Sequence, residues 1–152
     1  MLNRFLVGIL FASALLLLVS SVPAVAQWEN IETVEGPYGE NTTLTEQPHS
    51  LGEGLSVRAL GIAGTDTTRW ALSLIGAAPE DTISLVYESE FLPIKAIDRP
   101  SGGVGPIKVF VSPETFLTMA ESGAVSLRVG KRTVSLPAQL RKEMKKIFER
   151  VT

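Results

Sequence analysis

Two alternating runs around Gly130-Lys131 constrain this chain more than any other stretch: Val125-Ser126-Leu127-Arg128-Val129 before the pair and Arg132-Thr133-Val134-Ser135-Leu136 after it. A two-residue loop with glycine first suits a type II′ turn, because glycine adopts the required positive φ at little cost. That loop length sets Val129 opposite Arg132, Leu127 opposite Val134 and Val125 opposite Leu136. The apolar residues then share one face, while Arg128/Thr133 and Ser126/Ser135 share the other. Slipping the register by one residue would turn the apolar set into water.

A helix is predicted immediately after the hairpin. Pro137 suits the first helical position, where its missing N–H is no loss. Leu140, Met144, Ile147, Phe148 and Val151 recur at the helical period as one stripe, which is expected to dock on the apolar face of the hairpin. Before the hairpin, Ser112-Pro113-Glu114 is a helix start, with a side-chain cap, a proline at the first position and an acid beside the positive end of the dipole. Phe116, Leu117 and Ala120 supply a packing face there, and Gly123 is expected to close the helix.

Upstream, short strands follow one another. They cover Leu55–Leu60, Arg69–Ile75, Thr82–Tyr87, Phe91–Ile97 (an edge, given Pro93) and Ile107–Val111, with turn residues between them. Regular short runs favour antiparallel pairing over β-α-β crossovers. The fold class implied is α+β: a mainly antiparallel sheet of about seven strands with two helices on one face, ending strand-helix-hairpin-helix.

The first 26 residues read as a secretory signal peptide, with Arg4, an apolar core from Phe5 to Val19 and a small-x-small cleavage site at Ala24-Val25-Ala26. The chain is therefore expected to be cut after Ala26 and to work in a periplasm or outside the cell, with no transmembrane span after cleavage. Residues 27–54 read as an acidic, Gly/Pro-containing arm, in part disordered, and residues 55–152 as one globular domain. The chain has no cysteine. Thiol catalysis, Cys-ligated zinc and disulfide stapling are thereby excluded, leaving packing to hold the fold.

Charge is distributed unevenly. Residues 27–54 hold six glutamates and no lysine or arginine, whereas residues 125–152 hold eight cations against two glutamates. Arg141, Lys142, Lys145 and Lys146 project away from the apolar stripe of the last helix. With Arg128, Lys131 and Arg132 they form the candidate partner-binding set. A basic helix face is commonly plain solvated surface, helped by the helix dipole. Its functional counterpart is an anionic partner: an envelope polymer, an acidic protein surface or lipid headgroups. The acidic arm folding back over this face is a third explanation.

No catalytic, cofactor or metal-binding residues are assigned. His49, the only histidine, reads as an exposed loop residue, and one imidazole does not build a multi-histidine metal site. Glu88 and Glu90, if both in strand, would point the same way about 6.6 Å apart, a spacing that inverting glycosidases use at its low end. They more often form a solvated face. Gly102-Gly103-Val104-Gly105 lacks the following helix N-terminus that a phosphate cradle requires. Trp70, Phe91, Phe110, Phe116 and Phe148 lie one per element, as core residues do, and nucleic-acid binding would need interleaved aromatics and a basic groove. The expected function is a non-enzymatic binding or accessory domain acting outside the cytoplasm. The alternatives are a small hydrolase using Glu88, Glu90 or Asp98, and membrane attachment through the basic helix.

Overall fold

The computed structural model describes residues 30–152; the stretch expected to be a signal peptide, with its expected cleavage site, lies outside the described residues. The hairpin forms with the expected register. Strand β10 (Val125–Val129) pairs β11 (Arg132–Ser135) with Val129 opposite Arg132 and Leu127 opposite Val134. Gly130 takes φ 60° while Lys131 is not in the positive region, as a type II′ turn requires. The hairpin is half of a four-stranded antiparallel sheet: β10 also pairs β6 (Ile83–Tyr87), which pairs β7 (Glu90–Leu92). Val125, Leu127 and Val129 meet Ile83 and Leu85 on the buried face.

A second, seven-stranded antiparallel sheet runs in the order β1 (Ile31–Glu35), β2 (Asn41–Thr45), β4 (Leu55–Ala63), β5 (Thr68–Ile75), β9 (Ile107–Val111), β8 (Ala96–Asp98), with β3 (His49–Gly52) also beside β4. The fold is α+β as expected, with an antiparallel sheet of seven strands and two helices; among the described residues the strands number eleven, the other four forming the second, smaller sheet. Residues 31–52, expected to lie in an acidic arm, are paired strands. Their alternation is carried by threonine, with Thr43 and Thr45 buried on the inner side and Ile31 beside Thr45. The run Phe91–Ile97 divides between the sheets: β7 joins the small one and β8 the large one.

Cross-strand rows explain where the core sits. Val57–Leu74–Ile107, Ala59–Leu72–Val109 and Gly61–Trp70–Val111 lie side by side across β4, β5 and β9. All are buried, and with the inner residues of the small sheet and both helices they form one hydrophobic cluster. Apolar surface removed from water at about 25 cal/mol per Å² makes such rows the principal stabilising feature of a cysteine-free chain.

Helix α1 (Pro113–Glu121) starts as expected, Ser112 Oγ accepting from Thr115 N at 3.1 Å. Phe116, Met119 and Ala120 face the core. The helix ends at Ser122 in extended conformation, not in a left-handed glycine cap. Gly123 serves a different purpose, since a Cβ there would meet Arg141 Nη2 at 3.3 Å.

Helix α2 (Ala138–Val151) starts one residue later than expected, with Pro137 at the cap, and packs against α1 and on β4 and β2 of the large sheet rather than on the hairpin. Gly61 permits this approach. A Cβ at that position would lie 3.0 Å from Ile147 Cγ2 and 3.1 Å from Val151 Cγ2 and the Trp70 ring. Trp70 stacks on Phe148 at 4.9 Å between centroids and meets Phe116 at 5.0 Å, joining the two helices over β5. Phe91 departs from the expectation of a core residue: it is 70% exposed on β7, with the Arg128 guanidinium 5.9 Å from its ring.

Candidate functional site

Helix α2 spends its apolar stripe on the core. Leu140, Met144 and Ile147 are fully buried, which leaves the opposite face outward. Gln139, Lys142, Lys145, Lys146 and Glu149 on that face, with Asn30 at the entry to β1, line a depression of about 440 Å³. A helical rise of about 1.5 Å per residue sets Lys142 and Lys146 about 6 Å apart along the axis. Asn30 is fixed at the rim, its carbonyl accepting from Glu46 N at 2.8 Å. Three cations thus line one concave surface. Among the described residues, neither Lys142 nor Lys145 has a carboxylate within ion-pair distance.

The other predicted cations do not join them. Arg141 lies against Gly123 in the loop before β10. Arg128 sits over Phe91 on the outer face of the small sheet. Arg132 is engaged in the fold: Nη2 pairs with Asp81 Oδ2 at 3.4 Å and Nη1 donates to the Glu53 carbonyl at 3.5 Å. Arg99 closes the same corner by donating to the Pro79 and Asp81 carbonyls, both at 2.7 Å. Lys131 is exposed at the turn between β10 and β11. The structure therefore brings together Lys142, Lys145 and Lys146 and separates Arg128, Lys131, Arg132 and Arg141 from them. Arg128, Lys131 and Arg132 are carried by the hairpin, on which α2 does not rest, and Arg141, though on α2, is turned toward the Gly123 loop.

On the inner side of α2 is a pair that sequence reasoning missed. His49 is not an exposed loop residue; it lies on β3 opposite Val57, with its side chain 18% exposed. Its Nε2 meets the Glu143 carboxylate at Oε2. Glu143 is 2% exposed on the buried side of α2, between Leu140 and Ile147. Neither contacting atom has a further partner. Burial raises the Glu143 carboxyl above its ordinary range, and His49 and then Lys146 pull it part of the way back. The available signal was a carboxylate inside the apolar stripe of a helix in a chain with one histidine. Such a residue needs a partner wherever the fold brings one.

The carboxylates weighed for catalysis are not assembled. Glu88 and Ser89 form the tight turn between β6 and β7, at φ 49° and 68°, so Glu88 and Glu90 are not alternate residues of one strand. Asp98 lies in β8 of the other sheet, and all three are exposed. No group of three or more His, Asp or Glu side chains among the described residues could hold a metal ion. No helix among them is long and apolar enough to cross a membrane. The 98–106 loop leans on the 78–82 turn, Gly103 passing close to Pro79. Compared with known proteins, the chain matches no family model, no curated protein and no solved structure.

Proposed function

We propose that this chain is an exported, non-enzymatic binding domain acting outside the cytoplasm, and that the α2 groove holds an extended anionic partner. The observation that carries this reading is the placement of Lys142, Lys145 and Lys146 around one depression. Lys142 and Lys146 at i, i+4 repel by a few tenths of a kcal/mol, a cost that an anion in the groove would turn into attraction. The groove's neutral donors, Gln139 and Asn30, suit acceptor oxygens between the charges.

A polymer or acidic segment fits better than a lipid surface. Amphipathic helices bind bilayers by sinking their apolar face among acyl chains, and the apolar face of α2 is buried in the core. Contact would therefore be electrostatic, with selectivity coming from charge spacing along an extended chain.

The test is fluorescence titration of the mature chain with labelled dextran sulfate, beside flotation with phosphatidylglycerol vesicles. Saturable binding to the polymer, weakened about tenfold or more in Lys142→Glu/Lys145→Glu, supports the reading. Equal binding by that variant removes the groove as the site, and vesicle flotation without polymer binding replaces the proposal with membrane attachment.

A further inference from the structure

Glu143 of the His49–Glu143 pair shares helix α2 with the groove lysines. Glu143 precedes Lys146 by three residues and follows Lys142 by one on the same helix, and the Lys146 charge is felt at its carboxyl. The pair bridges β3 and α2, with Glu143 buried and the His49 side chain only partly exposed, so solvent screens it less than a surface pair. Other charges facing it are few. The inner faces of β4 and β2 opposite α2 present Leu55, Val57, Ala59, Gly61, Thr43 and Thr45, none of which titrates in the ordinary range. On β1 the one titratable side chain of that face, Glu35, is exposed at the strand end, and on α1 Glu114 and Glu121 are exposed. Glu149 lines the groove beside the lysines but is exposed, so Glu143, with His49 as its partner, is the buried titratable group of α2.

We infer that this pair makes anion binding in the α2 groove proton-linked: binding tightens as the pH falls because the pair moves from net negative to net positive beside the lysines. The inference rests on the proposed function of the groove. With both groups deprotonated the pair carries one negative charge, which opposes an anion above it. One proton makes it neutral overall, and a second leaves the imidazolium unopposed. Each step removes repulsion or adds attraction at a few helical residues' distance. Because binding and protonation are reciprocally linked, an anion in the groove draws protons onto the pair to the same extent. Burial raises the Glu143 carboxyl above the range of an exposed glutamate, so its protonation lies nearer to mildly acidic conditions. Coulomb's law across about 7–10 Å of partly solvated protein gives a change on the order of threefold to tenfold in affinity.

Dextran sulfate is a suitable probe, since its sulfates keep their charge throughout. Its dissociation constant would be measured from about pH 8 to about pH 5.5, above the range in which exposed carboxylates titrate. The variants are His49→Gln, Glu143→Gln and the two combined, each checked for native circular dichroism. Wild type is expected to bind about threefold to tenfold more tightly at the acid end. The combined variant is expected to bind with an affinity nearly independent of pH, and each single variant to lose part of the dependence. Wild-type binding that does not change with pH overturns the inference and leaves the groove reading standing, as does a dependence that survives in the folded variants. Absence of wild-type binding at every pH overturns both. Should the combined variant fail to fold, the single variants decide by the same criterion.

Discussion

Placing a methyl group on Gly61 sets two effects against each other. In an open strand, Gly→Ala lowers the entropy of the unfolded chain and stabilises by about 0.5–1 kcal/mol. At Gly61, which is buried in β4 and not in the positive-φ region, the new Cβ would lie 3.0 Å from Ile147 Cγ2 and 3.1 Å from both Val151 Cγ2 and Trp70 Cζ3. These are three core side chains from two elements, and Trp70 is held between Phe116 and Phe148. None yields without moving another, so the overpacking cost of about 1–3 kcal/mol prevails. The expected net loss is about 1–2 kcal/mol, a fall in melting temperature on the order of 5 °C for a domain of this size. Urea unfolding followed by tryptophan fluorescence measures it. Val151→Ala removes one of the two opposing methyl groups, the third close atom being a Trp70 ring carbon, so combining the two substitutions should cost less than the sum of each alone. A Gly61→Ala chain as stable as wild type, or additive behaviour with Val151→Ala, would refute the placement of α2 on β4.

Three further substitutions probe separate parts of the account. Ser112→Ala removes the side-chain acceptor for Thr115 N and should cost about 1 kcal/mol in urea denaturation. Gly130→Ala combines a φ of 60° with a Cβ 2.7 Å from Asp81 Oδ1, and should destabilise by about 1–3 kcal/mol with unchanged far-ultraviolet circular dichroism. The Glu143 carboxyl is raised in the fold, so the native chain binds this proton more readily than the unfolded one. Its contribution to stability therefore declines as the pH rises from 4.5 through the native value. The stability of Glu143→Gln relative to wild type should accordingly increase over that window; a relative decrease would show the carboxylate to be favoured by the fold.

What could be read from sequence was local. The hairpin register follows from a two-residue turn and a period-two pattern, and the start of α1 from a serine and a proline at adjacent positions. Strands β1 to β3 were missed because they carry little apolar alternation: threonines occupy the buried positions of β2, β1 buries Ile31 alone and β3 is only half-buried, while Gly, Pro and Glu between them imitate a disordered arm. The Glu88-Ser89 turn holds two residues at positive φ without a glycine or asparagine to announce it. The docking of α2 was misplaced because its stripe fits any apolar face. Only the space above Gly61 makes β4 its seat. The groove was partly legible: the helical face was visible in the spacing of Lys142, Lys145 and Lys146. That Arg128, Arg132 and Arg141 serve other contacts depends on where distant elements meet. The same is true of His49 and Glu143, which stand far apart in the chain and meet only because β3 lies beside β4, on which α2 packs.

The groove is tested most directly by the salt dependence of dextran sulfate binding to wild type and to Lys142→Glu/Lys145→Glu. If the three lysines hold the polymer, the wild-type affinity should fall linearly with the logarithm of salt, with a slope of about −2 to −3. That amounts to a loss on the order of tenfold to a hundredfold between about 50 and about 200 mM. The variant should bind weakly and with a slope closer to zero. A wild-type slope unchanged by the two substitutions would contradict the account and place the anion-binding surface elsewhere on the chain.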